Sequence, residues 1–432
     1  MAEHYAVPDE LHQGTPLDGA VWQFGRLDPM PPAVPRGWRL VRLTTVARLE
    51  SGHTPSRREP SWWGGTVPWV SLGDTDRLDD PVIVETSENI NERGLANSSA
   101  RVLPGGTVVV SRTATVGKVT ILGHDMATSQ DFANYVCGPE VHNVYLMQLL
   151  RFMQPEWRRL RAGSTHNTVY MPVFKSLQVL LPPLDEQRRI AVVLSAMDTT
   201  RSRQEAVLLC LRTARAAIAA HLFARDGWET TRLADVLAPG RGSCVGGPFG
   251  SDLTRKDYVQ SGVPVLRGSN MPVSGVMIDE REFAYVTEAK ARSLERNLAF
   301  PGDVVFTQRG TLGQVGLLPL DSPHPRFLLS QSQMKATLDV AKIDRAFALH
   351  WFKSEFVQDW IRVHTTGTGV PHINLGTLRE FPVLLPPLSE QRRIAVLLSA
   401  VDAYIARTMD GITATAKLKS ALAHRLLTGA TA

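Results

Sequence analysis

The residue types that could do chemistry are present in this chain, but their spacing does not assemble a recognisable active site. The three cysteines, Cys137, Cys210 and Cys244, lie far apart and form no CxxC pair. That excludes a disulfide framework or a cysteine-based zinc site and leaves them as expected buried, reduced thiols. The 12 histidines show no ligand spacing, so no metal is expected. There is no HExxH, no GxSxG and no NPPY-like amino-methyltransferase motif. GGPFGSDL at Gly246 lacks the lysine and the spacing of a phosphate-binding loop. GTLG and GTGV read as tight turns, not phosphate cradles. No catalytic residue is expected, and binding is the better reading.

What the chain does offer is a set of cationic, polar and aromatic side chains at turns. In the first half these are Arg57, Arg58, Trp62 and Trp63 in SRREPSWWGG, then Arg77, Arg112 and Lys118, then Thr165, His166 and Asn167. In the second half they are Arg241, Arg255, Lys256, Arg267, Asn270, Arg309, Gln314, Thr366, Thr368 and His372. Arginine can grip guanine bidentately, asparagine or glutamine can do so with adenine, and Ser, Thr and Lys suit phosphates. Each also has a bland reading as a solvated loop residue; Arg112 and Arg309 stand out because they align between the two halves.

These turns belong to a duplicated scaffold. LPPLDEQRRIAVVLSAMD at Leu181 and LPPLSEQRRIAVLLSAVD at Leu385 share 15 of 18 positions across 204 residues. Ahead of each copy, PGGTVVVSRTATVGKV at Pro104 matches PGDVVFTQRGTLGQVG at Pro301, aligned with a one-residue deletion, and TSQD at Thr128 matches LSQS at Leu329. Short β-branched runs between Gly/Pro turns, with a few helical stretches, predict a mixed α/β body in each half. Each repeated segment opens a helix of about 40 residues, about 60 Å long, with Asp185 or Ser389 as expected N-cap and Gly227 and Gly429 as expected stops. Glu186, Gln187, Ile190, Leu194 and Met197, and Glu390, Gln391, Ile394, Leu398 and Val401, are expected to pair the helices or hold a partner. A stripe that long cannot be buried against one compact domain, so two antiparallel, coiled-coil-like helices are expected.

Composition agrees. A chain of 432 residues with 43% hydrophobic content supports several cores. The net charge of +5 is uneven: residues 1–36 carry −3, so the rest carries +8, which favours a polyanion such as nucleic acid. Those 36 residues hold six prolines and read as a flexible or loosely docked extension. The stretch VLLCLRTARAAIAAHLF is broken by Arg212 and Arg215, so a soluble, cytoplasmic protein without a membrane helix is expected.

The paired LPPL-x-EQRRIA segments, with SGHTPSRREPSWWGGTVPWVSLGD, GGPFGSDLTRKDY, GVPVLRGSN and PGDVVFTQRGTLGQVG, resemble the DNA specificity (S) subunit of type I restriction–modification enzymes. The resemblance covers about residues 37–427. It implies an α+β architecture: target-recognition domains at 37–180 and 227–384, with spacer helices at 181–226 and 385–432 after the extension at 1–36. It further implies that each domain reads one half of a split site in double-stranded DNA. The helices would set the spacing and dock two methyltransferase (M) subunits, and restriction (R) subunits would join for cleavage. S-adenosylmethionine, and ATP with Mg in the restriction complex, would sit on those partners, with no cofactor on this chain. The competing readings are a duplicated, nuclease-like enzyme with unrecognised active sites and a protein–protein scaffold.

Overall fold

The computed structural model describes residues 10–17, 31–161, 167–224, 227–272, 277–365 and 372–430. The chain divides into two compact units. Unit 1 comprises residues 1–202 and 413–432; unit 2 comprises residues 203–412.

Unit 1 begins with β1 (Glu10–Leu11) and β2 (Arg39–Arg42), followed by β3 (Ala47–Ser51), β4 (Val108–Ser111), β5 (Val119–Leu122) and β6 (Phe132–Cys137). Helix α1 (Asn143–Phe152) and β7 (Gln178–Leu181) lead into α2 (Leu184–Phe223). The principal sheet runs β3–β6–β4–β5 and ends on the short strand Val82–Ile83. Its central strand explains why TVVVS is continuously apolar: Val108 and Val110 face one core while Val109 faces another. A strand covered on both faces has no need of alternation.

Unit 2 repeats this plan with β8 (Glu229–Arg232), β9 (Cys244–Gly246), β10 (Val304–Thr307), β11 (Val315–Leu317) and β12 (Gln333–Ala336). Then come α3 (Arg345–Phe352), β13 (Pro382–Leu385) and α4 (Leu388–Thr428). The sheet order is β9–β12–β10–β11, and Val304 and Phe306 again face a different core from Val305.

The long helices contribute to both units. In unit 1, Ile190, Ala191 and Leu194 of α2 share a core with Ala423 and Leu427 of α4. In unit 2, Ala219 and Leu222 of α2 share one with Ile394, Ala395 and Leu398 of α4. Within unit 1 Asp198 meets Lys419, and within unit 2 Arg215 meets Asp402. Partners therefore descend along α4 as they ascend along α2, which makes the pair antiparallel.

Several expectations change. Both helices begin one residue before their expected caps, at Leu184 and Leu388, so Asp185 and Ser389 lie inside the first turn. There Asp185 pairs with Arg188. Gly429, at φ +67, directly follows α4 as a left-handed stop. The described parts of the Pro-rich extension are docked: β1 pairs with β2, and Leu17 and Val34 enter the unit 1 core. Of the cysteines, Cys137 is half-buried and Cys210 is exposed; only Cys244 is buried. Finally, α2 contains an 18-residue stretch of mean hydropathy 1.5, long and apolar enough by composition to cross a membrane. In unit 2 that stretch carries the ion pair from Arg215 and feeds Ala219 and Leu222 into the core.

Candidate nucleic-acid interface

In each unit, three loops distant in sequence meet where the central strand ends. In unit 1 the Arg112 N–H donates to the Asp131 carbonyl (2.9 Å), and the Arg112 carbonyl accepts from the Val169 N–H (2.8 Å). A fourth segment presses on this junction, because a Cβ on Gly52 would lie 2.2 Å from the Ser129 carbonyl oxygen. In unit 2 the Gln308 N–H donates to the Ser332 carbonyl (2.7 Å) and the Gln308 carbonyl accepts from Ile373 (3.1 Å). A Cβ on Gly247 would lie 1.8 Å from the Ser330 carbonyl oxygen. The TSQD and LSQS turns, matched in sequence but not singled out there as binding elements, are thus the hubs of both junctions.

This register corrects the alignment of the two arginines. Gln308 makes both contacts that Arg112 makes, whereas Arg309 only reaches the Ser332 carbonyl with its N–H at 3.4 Å. Arg309 bridges to His372 just as Thr113 bridges to Thr168. The turns then match without a deletion, including two left-handed positions each: Ala114 (φ 57) and Gly117 (φ 89) with Gly310 (φ 96) and Gly313 (φ 83). The Pro-Gly openings at Pro104 and Pro301 and the arginines themselves, all 197 residues apart, favour the register one residue off.

The candidates differ in availability. Arg112 is half-buried, its Nε donates to the Gln130 carbonyl (2.8 Å), and burial pulls its guanidinium below the usual value against Asp131. Arg58, Arg241, Arg255, Lys256 and Arg309 are exposed, as is Asn167, itself left-handed at φ 50. Arg57 is held bidentately by Glu88 (2.5 and 2.7 Å) and lies over the Trp63 ring at 3.8 Å. Trp63 packs edge-on against Trp69, and Trp62 is half-buried. Arg77 pairs with Asp74 and Lys118 with Asp79, both at 2.8 Å. The Gln314 Oε1 accepts from the Thr307 hydroxyl, and His372 is half-buried. Asn270 is a correction: it is buried, its Oδ1 accepts from the Arg267 N–H, and its Nδ2 donates to the Asp279 and Glu282 carbonyls. With both amide ends engaged it shapes the loop behind half-buried Arg267. Thr165, His166, Thr366 and Thr368 lie outside the described residues.

The repeated helix starts also divide by role. Gln187 is fully buried; it donates to the Glu140 and Pro182 carbonyls and accepts from the His142 N–H. Gln391 does the same with Lys342, Pro386 and Asp344. These glutamines pin each helix to its own recognition layer and do not pair the helices. Glu186 and Glu390 pair with Arg189 and Arg393 one turn on. Ile190, Leu194, Ile394 and Leu398 are fully buried, whereas Met197 and Val401 are half-buried.

The sequence reading missed the last residue of each repeat. Asp198 accepts from the Gln148 amide (2.8 Å) and from Lys419 (2.5 Å). Asp402 accepts from Arg215 (2.7 Å) and faces buried His350 (3.5 Å). Lys419 and Arg215 stand 204 residues apart, the spacing of the repeat itself. Helix α2 therefore gives the aspartate in unit 1 and the cation in unit 2, and α4 gives the complementary group at each place. Burial drives His350 down to about 4 and Lys353 to about 8, with Asp402 opposing and Arg215 reinforcing both shifts.

A duplicated scaffold of this kind, with a basic three-loop junction in each half, is a two-part recognition protein. The type I restriction modification DNA specificity domain matches residues 35–208 and again 226–417, and the chain belongs to that family with two such domains. The MjaIX specificity subunit of a type I restriction enzyme from Methanocaldococcus jannaschii is 22% identical over 429 residues, covering 92% of this chain and 94% of its own. The EcoKI specificity subunit of Escherichia coli strain K12 is 22% identical over 398 residues, covering 86% and 83%. The crystal structure of the type I restriction-modification S subunit from M. genitalium shares the fold at TM-score 0.56 and 14% identity, covering 91% of this chain and 97% of its own.

Proposed function

We propose that this chain is the non-catalytic, DNA-reading subunit of its system, with each unit addressing one half of a split target. The observation that carries the reading is the same loop junction built twice, with exposed Arg58 further along the loop that follows Gly52, exposed Arg255 and Lys256 along the loop that follows Gly247, and exposed Arg309 beside Gln308. Two modest readers on one chain multiply specificity, because the second binds at high effective concentration. Helices of 40 and 41 residues are each about 60 Å long, against about 34 Å per DNA turn. In this reading the long helices dock two methyltransferase subunits. S-adenosylmethionine is bound by those partners, and ATP and Mg by restriction subunits where they join; the assembly works in the cytoplasm.

The test is to co-express the full chain with an adenine methyltransferase partner and map methylated adenines. A split motif with an unspecified spacer is expected. Cleavage or modification of DNA by the purified chain alone would instead favour the duplicated enzyme.

A further inference from the structure

The junctions align residue for residue, and one of the positions at which they differ in chemical kind places a polar side chain in one unit and an aromatic ring in the other. Gly52 and Gly247 are the points where the first loop of each unit touches the Ser-Gln turn, against Ser129 and Ser330 respectively. Two residues further on stand Thr54 in unit 1 and Phe249 in unit 2. The Thr54 hydroxyl donates to the Gln130 side-chain oxygen at 2.6 Å, making a polar pair beside Arg112. In unit 2 the matching Gln331 turns its amide onto the Gly250 and Leu253 carbonyls of the loop itself. That ties down the loop while Phe249 stays 87% exposed, more than any other large apolar side chain among the described residues.

Exposure alone would say little, because single apolar side chains are common on surfaces. Position decides the matter. The ring sits on an anchored loop at the junction, with exposed Arg255 and Lys256 following in the same loop and exposed Arg309 in the neighbouring turn. Those cations complement a phosphate backbone. In the major groove the one apolar feature offered by the bases is the thymine C5 methyl.

Resting on the function proposed above, we infer that Phe249 is a specificity-determining residue that packs on a thymine methyl in the half-site read by unit 2. Unit 1 uses the Thr54–Gln130 pair at the same position to read by hydrogen bonding. The two halves of the target therefore differ there in the chemistry recognised, apolar in one and polar in the other.

The experiment uses the full chain with its methyltransferase partner on duplexes carrying the mapped motif. Each thymine is replaced in turn by deoxyuridine, which lacks the methyl group. At one position, in one half-site only, binding is expected to weaken about fourfold, the factor for one buried methyl-sized group. Phe249→Ala should lose a similar factor on the natural motif and become indifferent to that replacement; Phe249→Leu should regain part of it. Additive losses, a variant as sensitive as the parent, or no A·T pair in that half-site would overturn the inference. Weakened co-purification of the methyltransferase with DNA reading unchanged would assign the ring to a protein contact and also overturn it. A wild-type complex that methylates no split motif would sink the DNA-reading assignment itself, a result distinct from these.

Discussion

Arg112 and Arg309 looked alike in sequence but have different amounts of freedom. Arg112 is anchored on the Gln130 carbonyl and desolvated, so removing it disturbs the turn as well as any base contact. Arg309 is exposed and lies where Thr113 lies in the other unit. Arg309→Ala is expected to leave the fold intact and to weaken one half-site by about 1–3 kcal/mol, measured by binding to duplexes mutated in either half. An equal loss on unrelated DNA would show a phosphate contact instead. His350 gives a second residue-scale prediction. Its pKa in the folded protein is about 4 against an ordinary 6.5, so the unfolded chain binds the extra proton first. Stability from this group is complete above about pH 6.5 and is lost as pH falls towards 4. Thermal melts of His350→Gln should show a shallower acid decline than the parent over that window; an unchanged slope would contradict this. Such details were not legible in the sequence. Nothing in RAFALHWF marks His350 as facing Asp402, because the contact depends on which helix packs beneath it.

At the scale of elements, the sequence carried more. Strands, turns and the antiparallel helix pair follow from β-branched runs, Gly/Pro punctuation and apolar spacing, all of which act locally or along one face. The buried roles of Gln187 and Gln391 were not readable, because a glutamine in the first turn of a helix looks solvated until the chain above it is placed. Gln187→Ala should strand the His142 N–H and two carbonyls, at about 1–3 kcal/mol for an unsatisfied buried group; chemical denaturation would measure it. The ion pair between Lys335 and Asp303, 2.9 Å apart and almost fully buried, makes a harsher demand. Asp303→Ala leaves an uncompensated buried charge and should cost about 3–5 kcal/mol by the same assay. Inserting four residues near Thr200 should move Asp198 and Arg215 out of step along α2 and change the spacer length preferred in methylation mapping. An unchanged preference would refute the spacer role of the helices.

For the molecule as a whole, duplication was the strongest signal, and it was strongest where the two copies must do the same thing. The repeated segments make matching contacts in both units: glutamine to backbone, isoleucine and leucine to core, aspartate to cation. The loops between them have diverged, so their alignment slipped by one residue at Arg309 and their availability could not be judged. Arg57 and Lys118 proved to be held by Glu88 and Asp79, carboxylates that no spacing rule connects to them, and Arg77 by Asp74 three residues before it. The basic balance also makes a prediction for the whole chain. Binding of unrelated DNA should fall steeply with added salt, whereas the preference for the split motif should survive better; parallel loss of both would argue that sequence reading contributes little.

The glutamine joints bear on how such a chain can change through time. Gln187 and Gln391 hold their recognition layers only through main-chain carbonyls and N–H groups. The joint is therefore indifferent to the side chains on the other side of it. A new reading surface can be inherited beneath an old helix as long as its backbone arrives in the same shape. Exchange of target preference between related chains then needs no compensating change at the glutamines, and constrains the long helices only where Ile190, Leu194, Ile394 and Leu398 enter the cores and Asp198 meets Gln148.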